Sequence, residues 1–103
     1  MADTLAATTA RVTICNKKGL HARAAAKLVN MAATFDARVE VLRLPRPREA
    51  SQPVSAGATS ILSLLMLAAE CGVEIELRGE GNQAAEAVAA LAALVARRFE
   101  EEE

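Results

Sequence analysis

The sequence predicts an α+β fold, a two-layer sandwich with its elements in the order β-α-β-β-α-β-α. Three observations lead there. Apolar and polar residues alternate with period two over residues 11–16, 38–43 and 73–78, as they do in strands with one buried face. Alanine- and leucine-rich stretches at helical spacing fill the intervals and follow the last strand,. Strands that are wet on one side must be covered by helices on the other. Periodicity alone also permits a ferredoxin-like β-α-β-β-α-β core with an added helix.

Residues 1–9 are small and polar and read as a frayed start, so 1–10 is expected to be a flexible N-terminus ahead of a single domain over 11–99,. After the strand at 11–16, Lys17, Lys18 and Gly19 make a turn. A helix is expected over 22–34, with Ala25, Leu28, Val29, Ala32 and Ala33 on one face and Phe35 closing that face,. The second strand is 38–43. Residues 44–53 hold all three prolines among mixed charges. They are expected to be a loop, since proline removes a ladder donor and turns the residue before it away from helix. Residues 54–58 are a candidate third strand. Residues 60–70 read as an apolar helix stopped by Gly72, which tolerates the left-handed backbone that ends helices,. The clearest strand is 73–78, and residues 79–82 (Gly-Glu-Gly-Asn) are the next turn. A last helix is expected over 83–99, with Ala84, Val88, Leu91, Val95 and Phe99 along one stripe,. The four glutamates at 100–103 read as a solvated acidic tail.

Composition excludes several functions. At 103 residues the chain supports one compact core,. Hydrophobic residues make up 52% of it and aromatic residues 2%, with no Trp or Tyr. The core must therefore be Ala, Leu, Val and Ile, and there are no stacking platforms for single-stranded nucleic acid. A net charge of −1 provides no basic footprint either,. Cys15 and Cys71 make neither a disulfide framework nor a C-x-x-C redox pair,. The apolar runs are shorter than a membrane span, and no signal-peptide pattern opens the chain. The expectation is a reduced, cytoplasmic protein without nucleic-acid binding or membrane insertion. One histidine and two distant cysteines form no ligand cluster, so no metal or cofactor is expected,.

The chemistry concentrates at Gly19-Leu20-His21-Ala22-Arg23, which holds the single histidine of the chain. It follows a strand and opens a helix. A helix N-terminus leaves backbone N–H groups without partners and carries partial positive charge, a ready site for a phosphoryl group. An imidazole that is substantially neutral at cytoplasmic pH is a nucleophile. His21 is thus a candidate covalent carrier, and Arg23 a candidate to add a permanent charge and bidentate hydrogen bonds. The N–H groups of Ala22, Arg23 and Ala24 in the first turn are candidates to surround the phosphate. The plainer reading makes His21 a helix cap and Arg23 a solvated surface charge.

These residues, with Val12-Thr13-Ile14-Cys15-Asn16-Lys17-Lys18 before them, then Ala25-Ala26-Lys27-Leu28-Val29 and Phe35, then Ser60-Ile61-Leu62-Ser63-Leu64-Leu65-Met66-Leu67-Ala68-Ala69 and Gly72-Val73-Glu74-Ile75, resemble the HPr phosphocarriers of the bacterial phosphoenolpyruvate-dependent phosphotransferase system. The resemblance covers residues 11–99. It implies an open-faced β-sandwich, a four-stranded antiparallel sheet with three helices on one face, in place of the ferredoxin-like alternative. It also implies that His21 takes phosphate from enzyme I, on its Nδ1 side, and passes it to IIA proteins or domains, assisted by Arg23. Such a protein is a transferase-type carrier with a transient phosphohistidine, and a carrier visiting several partners is most simply a monomer. Ser60 matches a serine that a dedicated kinase phosphorylates in some bacteria.

Other features leave two roles open. Serine is a favoured helix N-cap, which alone explains Ser60 before an apolar helix. Leu62, Leu65 and Met66 exceed what one buried face needs, so they serve either as core or as a docking surface for enzyme I and IIA partners. Lys17, Lys18 and Lys27 either steer acidic partners or are simply solvated. Ala24 stands where the family usually has proline, a change expected to cost about 0.4–1 kcal/mol through the unfolded chain. Thr59 precedes Ser60, where the family commonly has a basic residue. The Pro-rich loop at 44–53 is longer than the family pattern, although a surface insertion is thermodynamically cheap. Ala24 and this loop point to the alternative reading, a regulatory paralogue that binds proteins and carries no phosphate. Retention of His21 speaks against it.

Overall fold

The structure is a computed structural model that describes residues 8–45 and 52–101. Its elements are β1 (Thr8–Thr13), α1 (Ala22–Ala32), β2 (Arg38–Arg43), β3 (Val54–Gly57), α2 (Ile61–Leu65), β4 (Glu74–Glu80) and α3 (Ala84–Ala96), with a short 3-10 turn over Arg98–Glu100. This is the predicted order. The four strands form one antiparallel sheet in the order β1-β4-β2-β3, the open-faced sandwich that the resemblance implies.

Register explains the two layers. Ala10 lies opposite Leu77, Leu77 opposite Val41, and Val41 opposite Ala56, so one apolar row crosses all four strands. Leu77, Val41 and Ala56 are buried, because the row faces the helices. Ala24, Ala25 and Leu28 of α1, Leu64 of α2, and Val88, Leu91, Leu94 and Val95 of α3 complete the core. These are small aliphatic side chains in close packing, as the near absence of aromatics requires. Phe99 is the one large aromatic buried among them, with no exposure.

The opposite face of the sheet is polar. There Glu76 sits directly across from Arg11. Its Oε1 accepts from Arg11 Nε at 3.2 Å, and its Oε2 from Arg78 Nη2 at 2.8 Å. The Arg78 hydrogen bond holds the Glu76 carboxyl below the usual carboxylate range, outweighing the burial that opposes ionisation, with Arg11 adding to it,.

Element ends differ from those the pattern predicts, each for a tertiary reason. β1 begins at Thr8, inside the stretch expected to be frayed, because β4 is long enough to pair Thr8 with Gly79. It ends at Thr13 instead of residue 16. β4 runs to Glu80 through the expected turn, and Gly79 serves packing there: a Cβ on it would lie 2.8 Å from Val88 Cγ2. α1 stops at Ala32, and Ala33, predicted to face the core, is exposed. α2 stops at Leu65, five residues short of the expected end. Its last N–H groups bond three residues back, Leu67 to Leu64 and Ala68 to Leu65, and Ala68 turns left-handed with φ 52. This buries Leu67 and Ala69. Gly72 is left-handed as predicted (φ 94), but in the turn into β4 instead of at the end of a helix. α3 stops at Ala96, although the whole predicted stripe of Ala84, Val88, Leu91, Val95 and Phe99 is buried. Residues 46–51 of the Pro-rich loop and 102–103 of the tail lie outside the described residues.

Two outcomes follow for stability. Glu76→Gln is expected to cost about 1 kcal/mol at neutral pH, modest because both arginines are solvated,. Since the folded carboxyl is more acidic than the unfolded one, this stabilisation is present above the unfolded carboxylate pKa and is lost as pH falls through the folded one. Urea melts from pH 7 to pH 3 check this: the gap between wild type and variant closes toward acid. Gly19→Ala, at φ +71 with a Cβ placed 2.7 Å from Ala69 O, is expected to destabilise by at least about 2 kcal/mol in the same assay.

Candidate functional site

The site begins where β1 leaves the sheet. Asn16 is fully buried, and its Nδ2 donates to Gly19 O at 2.8 Å. Gly19 N–H donates back to Asn16 O at 3.1 Å, closing the turn. Leu20 N–H donates to Ala69 O at 2.8 Å, which ties this turn to the segment after α2. The chain is then extended at His21 (φ −85, ψ −179), which is the N-cap of α1.

The cap fixes the ring. His21 Nδ1 accepts from Arg23 N–H at 3.2 Å, and His21 O accepts the first helical bond, from Ala25 N–H at 2.8 Å. Histidine is an unusual N-cap, and here its ring nitrogen does what a serine oxygen usually does. Nε2 meets Glu101 Oε2 at 2.5 Å. Nδ1 accepts, so the pattern assigns the ring proton to Nε2, which donates to the carboxylate. Nδ1 is therefore unprotonated, and its lone pair rests on Arg23 N–H at the positive end of a helix,.

A cavity of about 420 Å³ opens beside the ring, lined by Lys17, Lys18, His21, Arg23, Lys27, Glu100 and Glu101. Four cationic side chains thus stand against two carboxylates. Lys27 is partly engaged, donating from Nζ to Phe99 O at 2.5 Å and lying 4.0 Å from Glu100 Oε1. Chemically the arrangement suits a doubly charged phosphoryl group: a guanidinium and ammonium groups line the cavity beside an unprotonated imidazole nitrogen that sits at a helix N-terminus,.

The sequence-predicted residues fall into two groups. His21, Arg23, Lys17, Lys18 and Lys27 share the cavity. Ala22 and Arg23 are exposed in the first turn, while the methyl of Ala24 is buried in the core, leaving its backbone N–H as what it offers the site. The other group lies on α2, which packs against α1. Ser60 caps it, Oγ accepting from Ser63 N–H at 3.1 Å. Leu62 and Met66 are 70% and 76% exposed, whereas Leu65 is half-buried and packs against the core. The three apolar residues therefore divide between surface and core.

Asn16 and Glu101 are site residues that sequence reasoning missed. A buried asparagine at the end of an apolar strand needs partners, which was a usable signal. Four identical glutamates provide no means to single out one. The acidic tail is not wholly solvated as expected: Glu101 is half-buried, with Oε1 accepting from Asn16 Nδ2 at 3.0 Å and Oε2 on His21. Burial opposes ionisation of this carboxyl. The hydrogen bonds from Asn16 and His21, with the charge of Lys27, overcome that effect and hold its pKa below the usual range,.

The model of the PTS HPr component phosphorylation site matches residues 8–97. The chain belongs to the HPr family of phosphocarriers of the phosphotransferase system. The phosphocarrier protein NPr of Shewanella violacea is 44% identical over 91 residues, 88% of this chain and 91% of that protein. The phosphocarrier protein HPr of Pseudomonas aeruginosa is 42% identical over 92 residues, 89% and 94% of the two chains. Among solved structures, HPr-C-His of Thermoanaerobacter tengcongensis superposes with a TM-score of 0.77 at 31% identity, covering 93% of this chain and 99% of that one. The family's fold and the phosphocarrier class thus apply here. No helix among the described residues is long and apolar enough to cross a membrane.

For the second group, Ser60→Ala removes the cap of α2 and is expected to cost about 1 kcal/mol, read by chemical denaturation.

Proposed function

We propose that this chain carries a phosphoryl group on Nδ1 of His21, receiving it from phosphorylated enzyme I and delivering it to IIA proteins or domains in sugar uptake or regulation. The observation that carries the reading is the ring itself: His21 caps α1 with an unprotonated Nδ1 that meets the first-turn N–H of Arg23. In the forward step Arg23 N–H releases Nδ1, whose lone pair forms a bond to phosphorus as the donor's nitrogen–phosphorus bond breaks, and the freed N–H turns to the arriving phosphoryl oxygens,. No proton has to move, because the ring proton already resides on Nε2. The charge that arrives is met by the helix N-terminus, Arg23 and the neighbouring lysines.

A carrier must also release its cargo. The site supports this by being open and largely solvated, which keeps each charge–charge attraction small. In this reading Leu62 and Met66 of α2, with the exposed part of Leu65, form the surface on which enzyme I and IIA partners alternate. Lys17 and Lys18 speed encounter with acidic partner surfaces. Ser60 is the candidate for phosphorylation by a serine kinase and reversal by a phosphorylase. Phosphate at that cap would put charge beside the docking surface and weaken it. Such a protein works in the cytoplasm as a monomer, with a transient phosphohistidine in place of turnover.

The test is intact mass after incubation with phosphoenolpyruvate and a catalytic amount of enzyme I. Wild type is expected to gain one acid-labile phosphoryl group and His21→Ala none. A wild-type protein that gains nothing from its cognate enzyme I would overturn the reading and leave a protein-binding role.

A further inference from the structure

We propose that Glu101 is a positioning residue for phosphoryl acceptance: its carboxylate holds the proton of His21 on Nε2 and so leaves Nδ1 unprotonated to face the donor. This inference rests on the carrier reading above. It concerns a residue beyond the segment that the family model matches, which ends at residue 97.

Both carboxylate oxygens are committed. Oε2 receives His21 Nε2–H, and Oε1 is anchored by Nδ2 of the fully buried Asn16, which is itself pinned to Gly19 O. The carboxylate is therefore oriented and does not merely lie nearby. The chain that delivers it is built for the purpose. After α3 ends at Ala96, three consecutive residues other than glycine are left-handed: Arg98 at φ 60, Phe99 at φ 54 and Glu100 at φ 64. Each such residue is unfavourable by about 1–2 kcal/mol, so a solvated tail would not stay in this conformation. Here the Phe99 side chain is sunk in the core and its carbonyl accepts from Lys27 Nζ. That anchor turns the chain back toward α1 and sets Glu101 beside the ring.

The chemistry gives this contact work to do. A carboxylate on one ring nitrogen fixes the tautomer and stabilises the ring when it becomes cationic. As the Nδ1–phosphorus bond forms, the neutral imidazole becomes a phosphoimidazolium that retains its Nε2 proton. The carboxylate faces that positive ring from the side opposite to the incoming group. When the phosphoryl group departs to an acceptor, the ring returns to its neutral Nε2–H form, still held. Glu101 touches neither the phosphorus nor the donor.

The experiment compares wild type, Glu101→Ala and Glu101→Gln in two measurements: the rate of phosphoryl uptake from phosphorylated enzyme I by rapid quench, and the His21 ring N–H resonance by ¹⁵N-edited NMR. Uptake is expected to fall about tenfold in Glu101→Ala, with the ring N–H resonance lost to exchange. Glu101→Gln, whose amide oxygen still accepts a hydrogen bond, is expected to keep the resonance and recover part of the rate. Equal or faster uptake by Glu101→Ala would overturn the proposal and leave the carrier reading intact. So would slower uptake with an unchanged ring resonance. A wild-type protein that takes up no phosphate would instead overturn the carrier reading, and with it the role given to Glu101.

Discussion

The backbone of Gly19 runs so close to the segment after α2 that a single methyl group would not fit between them. A Cβ there would sit 2.7 Å from Ala69 O and 2.9 Å from Glu70 Cα, and the residue is also left-handed. This seam decides where α1 starts. The turn it closes is short, so the next residue but one, His21, arrives extended and becomes the cap. The same seam, through Leu20 N–H and Ala69 O, ties α1 to the chain leaving α2. The proposed phosphoryl site and an apolar surface thereby lie on neighbouring helices that this backbone contact helps to hold together.

The site balances attraction against release. Four cationic side chains and a helix N-terminus favour an anion, but they are spread around an open cavity, and Lys27 is partly engaged by Phe99 O. Two carboxylates share the rim. An environment made only of cations would hold a phosphoryl group more firmly and pass it on less readily. Placing a carboxylate at Nε2 lets the ring itself be stabilised without adding positive charge around the phosphate.

Much of this was legible in the sequence, and the rest was hidden for identifiable reasons. Period-two alternation gives β2 to the residue, and helical spacing gives the buried stripe of α3 from Ala84 to Val95; Phe99 is buried as that spacing predicts, but through a left-handed turn beyond the helix. Local pattern reports which faces are buried, not how far a ladder extends. Hence β1 begins three residues before its alternation does, since its start is set by the length of β4, and Gly79, which looks like a turn residue, is a packing glycine inside β4. α2 looked longer than it is because Leu67 and Ala69 are apolar, yet they reach the core through a left-handed Ala68 and not along a helix. His21 and Arg23 stood out because a lone histidine opening a helix is chemically conspicuous. Glu101 did not, because its role depends on the burial of Phe99 and on Asn16, 85 residues away in sequence.

The nitrogen proposed to carry the phosphorus is the most direct point of contact between structure and function. Heteronuclear NMR of the ¹⁵N-histidine-labelled phosphoprotein, reading phosphorus–nitrogen coupling and the shifts of both ring nitrogens, would decide it. Phosphorus on Nδ1, with the proton still on Nε2, is the expected result, since Nδ1 faces the helix N-terminus and Nε2 is held by Glu101. Phosphorus on Nε2 would contradict it, because the group would then occupy the place where the carboxylate now lies.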